Sequence, residues 1–351
     1  MRFGINLFPT VGPADKDAAS YFDDALTLVE LAEQLDFHHV KTVEHYFFAY
    51  GGYSPDPVTF LAAAAARTSR IRLITGAVIP AFTHPIKLAG KLAMLDNISH
   101  GRLDVGFGRA FLPDEFAAFG IPLDESRARF DEGVSAVRQL WTSTDLVFDG
   151  QFHRFGPVTL LPLTYQRPHP PILVATAITP SSAASAGADG HGLLLVPSIN
   201  KREKVQEMIA GYREARAAAG LDPDGGDIHL SYNCYLSEDA DEAYRNGRRY
   251  SEWTNARLLE AVSAWSSTRS SGYEGYENIV RKVSSADFDS SLRDNKALVG
   301  TPAEVVDRIT TIRDWFGDVT ISLQVVSGNM PLSESQRTIR LFGEQVLPKF
   351  S

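Results

Sequence analysis

Eight short, almost continuously apolar runs recur along the chain, each followed by a helix or helical region. They are RFGINLF (2–8), HHVKTVE (38–44), IRLITGAVI (71–79), RLDVGFG (102–108), PPILVAT (170–176), GLLLVPS (192–198), DIHLSYNCYLS (227–237) and DVTISLQVV (318–326). Strands with so little polar alternation need cover on both faces, and interleaved amphipathic helices supply it, so the pattern predicts a parallel sheet. Phe22, Leu26, Val29 and Leu35 show the helical spacing in the first of these covers. Eight such units closing on themselves form a (β/α)8 barrel. An open doubly wound sheet is the alternative, but no glycine-rich dinucleotide fingerprint follows any strand. GFGRAF (106–111) is too short for one and lacks the third glycine.

Two stretches break the rhythm. Residues 145–169, with LVFDGQFHRFGPVTLLP at their centre, alternate and carry turn residues, which predicts a small β insertion after the fourth unit. Residues 266–299 are serine-rich with weak apolar periodicity. A segment of that length in a compact domain reads as a lid loop or as disorder. The remainder fits one barrel domain over 1–351.

The formal net charge of −9 argues against nucleic-acid and anionic-membrane binding. The start MRFGINLFPTVGP lacks the apolar stretch of a signal peptide, and no run of 18 apolar residues occurs, so a soluble cytoplasmic protein is expected. With Cys234 as the single cysteine, there is no disulfide framework and no cysteine-rich metal site. His38 and His39 begin a strand, and His84, His153, His169 and His191 are scattered without metal-ligand spacing, so no metal is expected. No Gly-x-Ser-x-Gly elbow is present. Without a strong nucleophile, the chemistry falls to a bound cofactor.

In a barrel the C-terminal strand ends meet at one mouth. Glu44 and His45 end the second strand and open the loop TVEHYFFAYGGYSPDP (42–57); Gly76 and Ala77 come late in the third, Arg109 ends the fourth, and Thr176 to Ser182 follow the fifth. Each has an ordinary reading. His45 alone is a loop histidine, Arg109 a solvated charge, and Thr179-Pro180-Ser181 a helix start. Glu44 alone is a strand-end partner for Lys41 or an arginine. Converging, they become a site, because a helix start with free amides beside an arginine suits a phosphate.

Several motifs resemble those of the bacterial luciferase-like, flavin-dependent monooxygenases, and nearest the luciferase α-subunit branch. These are MRFGINLF, EHYF with a glycine-rich stretch ending in DP, TGAVIPAFTHPIKLAGKLAMLDNISHGRLDVGFGRAF, FGIPLDESRARFDE, ITPSSAASAGADG and VGTPAEVVDRI. The resemblance covers nearly the whole chain. It implies a (β/α)8 barrel that takes FMN reduced by a separate flavin reductase, reacts it with molecular oxygen by way of a flavin peroxide, and oxygenates a small organic substrate. It places His45 as the catalytic histidine; the adjacent acid, Glu44, is expected to orient the imidazole and raise its pKa. Gly76-Ala77 matches a non-prolyl cis peptide against the flavin ring. Arg109, Arg127, Thr176 and Thr179 match the contacts to the FMN phosphate, with Ser181 of the same helix start a further candidate for cofactor binding, and 266–299 matches a mobile lid. It also implies a homodimer or a dimer with a related subunit. Tyr46 and Gly108 stand where luciferases have a second histidine and a cysteine, which puts light emission in doubt. Tyr46, Phe48, Phe82, Phe111 and Trp253 suggest an apolar or aromatic substrate pocket, although aromatics are also common core residues. A deazaflavin-dependent hydride-transfer enzyme and a non-catalytic flavin-binding subunit are the alternative readings.

Overall fold

The computed structural model describes residues 1–350. The strands are β1 (Arg2–Leu7), β2 (His39–Thr42), β3 (Arg72–Val78), β4 (Leu103–Phe107), β5 (Leu146–Asp149), β6 (Arg154–Val158), β7 (Ile172–Ala175), β8 (Gly192–Leu195), β9 (Ile228–Leu236), β10 (Ala297–Gly300) and β11 (Thr320–Gln324). The helices are α1 (Ala18–Gln34), α2 (Pro57–Arg67), α3 (Pro85–Ile98), α4 (Pro113–Ala118), α5 (Ser126–Thr142), α6 (Pro180–Ala188), α7 (Arg202–Ala218), α8 (Ala240–Ala261), α9 (Ile279–Ser284), α10 (Phe288–Arg293), α11 (Pro302–Phe316) and α12 (Leu332–Leu341).

Among the described residues eight parallel strands close in the order β9-β11-β1-β2-β3-β4-β7-β8, and β8 pairs back onto β9. This is the (β/α)8 barrel predicted from the eight apolar runs. The main core lies between barrel and helices. Leu7, Val40, Leu73, Val105, Leu230 and Leu323 face outward into it and are almost fully buried. Helix starts follow local chemistry: Asp17 and Asp56 accept amide hydrogens of the first turns of α1 and α2, and Thr301 with Glu304 forms a reciprocal capping box on α11.

The β insertion is an antiparallel hairpin of β5 and β6. The stretch 266–299 is more ordered than a loop. It holds short helical turns, α9, α10 and the start of β10, which extends the sheet by pairing with the C-terminal half of β9. Single aromatics anchor it, with Tyr273, Tyr276 and Phe288 all buried. No helix of the described residues is long and apolar enough to cross a membrane.

The lumen is two-sided. Ile74, Leu173 and Leu194 form an apolar cluster. The β1, β2, β9 and β11 side is polar, with His39 Nε2 2.7 Å from Ser322 Oγ and Lys41 Nζ donating to Ser231 Oγ at 2.6 Å. Burial drives His39 and His229 far below the usual histidine range, which keeps both neutral.

Candidate functional site at the barrel mouth

β2 delivers Glu44 and His45 to the mouth, where both are buried. The loop beyond is shaped around the imidazole. Gly51 adopts a φ of 82° and gives its amide to Pro9 O at 2.7 Å; a Cβ there would stand 2.6 Å from His45 Cβ. The His45 ring lies among Phe8, Tyr50 and Phe111, with ring centroids 5.4–5.8 Å away.

The carboxylate that orients His45 is Glu115 on α4. Its Oε1 sits 3.0 Å from His45 Nδ1 and accepts the Tyr46 amide at 2.9 Å. Glu115 is fully buried, and its Oε2 has no partner among the described residues. A proton on Nδ1 then faces the carboxylate, and Nε2 is left without a partner among the described residues.

Glu44, expected to orient His45, is engaged elsewhere. Its Oε1 accepts the Tyr46 hydroxyl at 2.7 Å and its Oε2 the Ile79 amide at 3.0 Å. Nor does it pair with Lys41 or an arginine. Burial pushes its pKa up to about 7, against the opposing pull of those two hydrogen bonds. The reason for the exchange is directional. Glu44 and His45 are adjacent at a strand end, where neighbouring side chains diverge, and the turn into α4 brings Glu115 across from β4. Sequence reading misses Glu115 because α4 is only six residues long; its one signal is an acid set between apolar Leu112 and Phe116.

The residues expected at a phosphate converge on the β4–β7 side. Arg127 Nη2 donates to Ser182 Oγ at 2.6 Å in the first turn of α6. The Arg109 guanidinium stacks 4.1 Å from the centroid of Tyr273, which belongs to the 266–299 segment. Burial and the nearby charge of Arg109 both lower the Arg127 pKa, so the two cations stand close and repel. Neither forms an ion pair among the described residues. The Thr179 side chain makes no capping bond at the α6 N-terminus, Ser181 is exposed in its first turn, and the buried hydroxyl of Thr176 has no partner among the described residues. Two guanidiniums without an ion pair among the described residues, offset only in part by the nearby charge of Asp131, make with the helix N-terminus and the Thr176 hydroxyl a cradle suited to a phosphate.

The Gly76-Ala77 peptide is cis. Gly108 stands against it: a Cβ there would be 3.1 Å from Ala77 Cβ. The aromatics are divided. Phe48, Phe82 and Phe111 pack in one cluster with Leu112, Phe116, Trp265, Tyr273 and Tyr276, and Tyr46 adjoins it, 6.1 Å from Phe82 and 4.9 Å from Phe119 between ring centroids. Trp253 lies apart from that cluster. It donates to Thr10 O at 2.8 Å and packs on Gly328, on the β1 and β11 side. No group of acidic, histidine or cysteine side chains suited to a metal occurs among the described residues.

The family model for luciferase-like monooxygenases matches residues 1–318. The chain belongs to that family. It is 27% identical to the oxygenase component of the flavin-dependent trigonelline monooxygenase of Acinetobacter baylyi, covering 100% of this chain and 96% of that one. Among solved structures it resembles monooxygenase RslO1 from Streptomyces bottropensis, at 63% identity, TM-score 0.92 and full coverage of both chains. The oxygenating constituent of 3,6-diketocamphane monooxygenase from Pseudomonas putida, in complex with FMN, shares the fold at TM-score 0.84 and 21% identity over 100% of this chain and 99% of that one. The family assignment from the ordered motifs and the barrel prediction therefore both hold for this luciferase-like monooxygenase.

Proposed function

We propose that the chain is the oxygenase component of a two-component system. It takes reduced FMN from a separate flavin reductase and oxygenates a small apolar or aromatic substrate. One observation carries this reading. The Arg109–Arg127–α6 cradle, with its unpartnered Thr176 hydroxyl, shares a mouth with the His45–Glu115 pair and the Gly76-Ala77 peptide. The ribityl phosphate would lie in the cradle and the ring against Gly76-Ala77. Bound reduced flavin supplies two electrons to dioxygen. With those electrons and two protons, one oxygen atom would enter the substrate and the other would leave as water.

His45 handles a proton at Nε2 while Glu115 fixes Nδ1. Segment 266–299 acts as a lid. Tyr273 caps Arg109 and its hydroxyl donates to Ala110 O at 2.9 Å, which closes the cradle against water. A second copy of the chain covers the apolar patch of Met94, Ile98 and Leu163, all exposed on or beside α3.

Anaerobic titration with reduced FMN, followed by admission of labelled dioxygen and substrate candidates, tests the proposal. One labelled atom per product molecule is expected. Tight binding of a reduced deazaflavin, with hydride transfer and no oxygen uptake, would replace the oxygenase reading. Flavin binding without any turnover would leave a non-catalytic flavin-binding subunit.

A further inference from the structure

Directly under the mouth, Lys41 crosses the barrel. It starts on β2, and its Nζ donates to Ser231 Oγ on β9, with β1 and β11 between those strands. Its methylenes pass beneath the third strand: a Cβ on Gly76 would stand 2.3 Å from Lys41 Cγ. The side chain therefore runs along the inner side of the Gly76-Ala77 peptide and forms part of the floor on which a ring at that peptide would rest.

That floor is polar on one half only. Asn6 lies opposite both Lys41 and Gln324 in the ladders, and Gln324 opposite Asn233. Asn6 Oδ1 and Gln324 Nε2 are buried without partners among the described residues. Lys41 is 3% exposed and has no carboxylate at ion-pairing distance among the described residues. A buried amine held by one hydroxyl is costly to keep charged, so its usual explanation, a structural ion pair, fails here. The two orphaned amide atoms at the same level mark that half as a surface that receives a polar group.

We propose that Lys41 is the cationic counterpart of the reduced flavin, with the polar half of the floor taking the N1–C2=O edge of the ring. The inference rests on the FMN reading above. Two-electron reduction places negative charge on that edge, whereas the oxidised ring is neutral, so a cation there favours the reduced form. Burial brings the amine down to about 7, and an arriving anion offsets that burial and restores the ammonium. Asn6 Oδ1 and Gln324 Nε2 complete an acceptor and a donor for the ring's imide-like edge. The oxygenase thereby captures the form of the cofactor that its reductase delivers and releases the spent one.

The test measures binding of FMN and anaerobic reduced FMN, without substrate, to the wild type and to Lys41→Met, which keeps most of the side-chain volume. Reduced FMN should bind about 10–100-fold more weakly to the variant, with oxidised FMN within a few-fold. The potential of bound flavin would then fall by about 30–60 mV, at roughly 30 mV per decade for a two-electron couple. Should the variant not fold, the absorption spectrum of reduced flavin on the wild type decides instead: the N1 anion supports the assignment and the neutral form overturns it. Equal weakening of both redox forms, or none, removes Lys41 from this role and leaves the phosphate cradle standing. Failure of the wild type to bind either flavin would overturn the FMN reading itself.

Discussion

One oxygen of Glu115 serves two neighbours: it lies 3.0 Å from His45 Nδ1 and 2.9 Å from the Tyr46 amide. Ring orientation and the backbone of the loop are thus set by the same buried carboxylate. Glu115→Gln should lower kcat by about 10–10³-fold, part of the ~10²–10⁴ that a positioned acid–base group contributes. The Michaelis constant for the substrate and the FMN affinity should stay within a few-fold, and Glu115→Asp should recover part of the loss. Steady-state kinetics on the three proteins would detect the split; a parallel loss of flavin binding would instead make Glu115 a prop of the fold.

Arg109 makes its prediction through the phosphate. A charge-assisted hydrogen bond is worth about 1.5–3 kcal/mol, so Arg109→Ala should weaken FMN by roughly tenfold to a hundredfold. Riboflavin, which lacks the phosphate, should bind the variant and the wild type alike. Fluorescence titration compares the two flavins, and equal losses for both would take Arg109 out of the cradle.

Glu44 gives stability a pH dependence. Its folded pKa of about 7 lies above the unfolded value of 4.5. Between these values the folded protein holds the proton more tightly, so the stabilising contribution is full below pH 4.5 and is lost as pH rises toward 7. Glu44→Gln cannot ionise. Across that window the wild type should lose on the order of 3 kcal/mol relative to the variant, because each tenfold difference in proton affinity between the folded and unfolded chain is worth about 1.4 kcal/mol. Urea unfolding at several pH values measures the difference, and a pH-independent gap would contradict it.

These residues show what a linear reading reaches. The eight strands are legible because each is buried on both faces and is largely apolar, most plainly in GLLLV, although β2 (HVKT) and β11 (TISLQ) carry polar side chains. The mouth is legible because strand ends meet there by topology alone. Glu115 is not, since the contact with His45 spans 70 residues and depends on the turn after β4. In the sequence Lys41 is a possible partner for Glu44, whereas the strand's alternation turns it inward to Ser231. The 266–299 segment conceals its order because Tyr273 and Phe288 bury singly, without a periodic stripe to announce a helix.

The patch on α3 bears on assembly. Met94 and Ile98 are one helical turn apart and exposed by 54% and 46%. Asn97 between them ties Leu163 of the insertion to the same face. A Met94→Lys, Ile98→Lys double variant should sediment as a monomer at micromolar concentration, while the wild type sediments as a dimer. A monomeric wild type would end the assignment of this face to a second copy.

His45 carries the sharpest prediction. Its imidazole is held at Nδ1 by Glu115, while Arg127 bonds Ser182 and Arg109 stacks on Tyr273, so His45→Ala should leave FMN affinity within a few-fold. Product formation should fall by ~10²–10⁴. The two electrons on the reduced flavin still pass to dioxygen, and without a proton donor at Nε2 they should end in hydrogen peroxide rather than in product and water. Oxygen uptake would therefore continue while product disappears, with peroxide accounting for the difference. Added imidazole should restore part of the coupling where it reaches the cavity lined by Phe8, Tyr50 and Phe111. Simultaneous oxygen, peroxide and product assays separate the outcomes: wild-type oxygenation by the variant would reduce His45 to a packing residue, and loss of oxygen uptake together with product would place it in flavin binding instead.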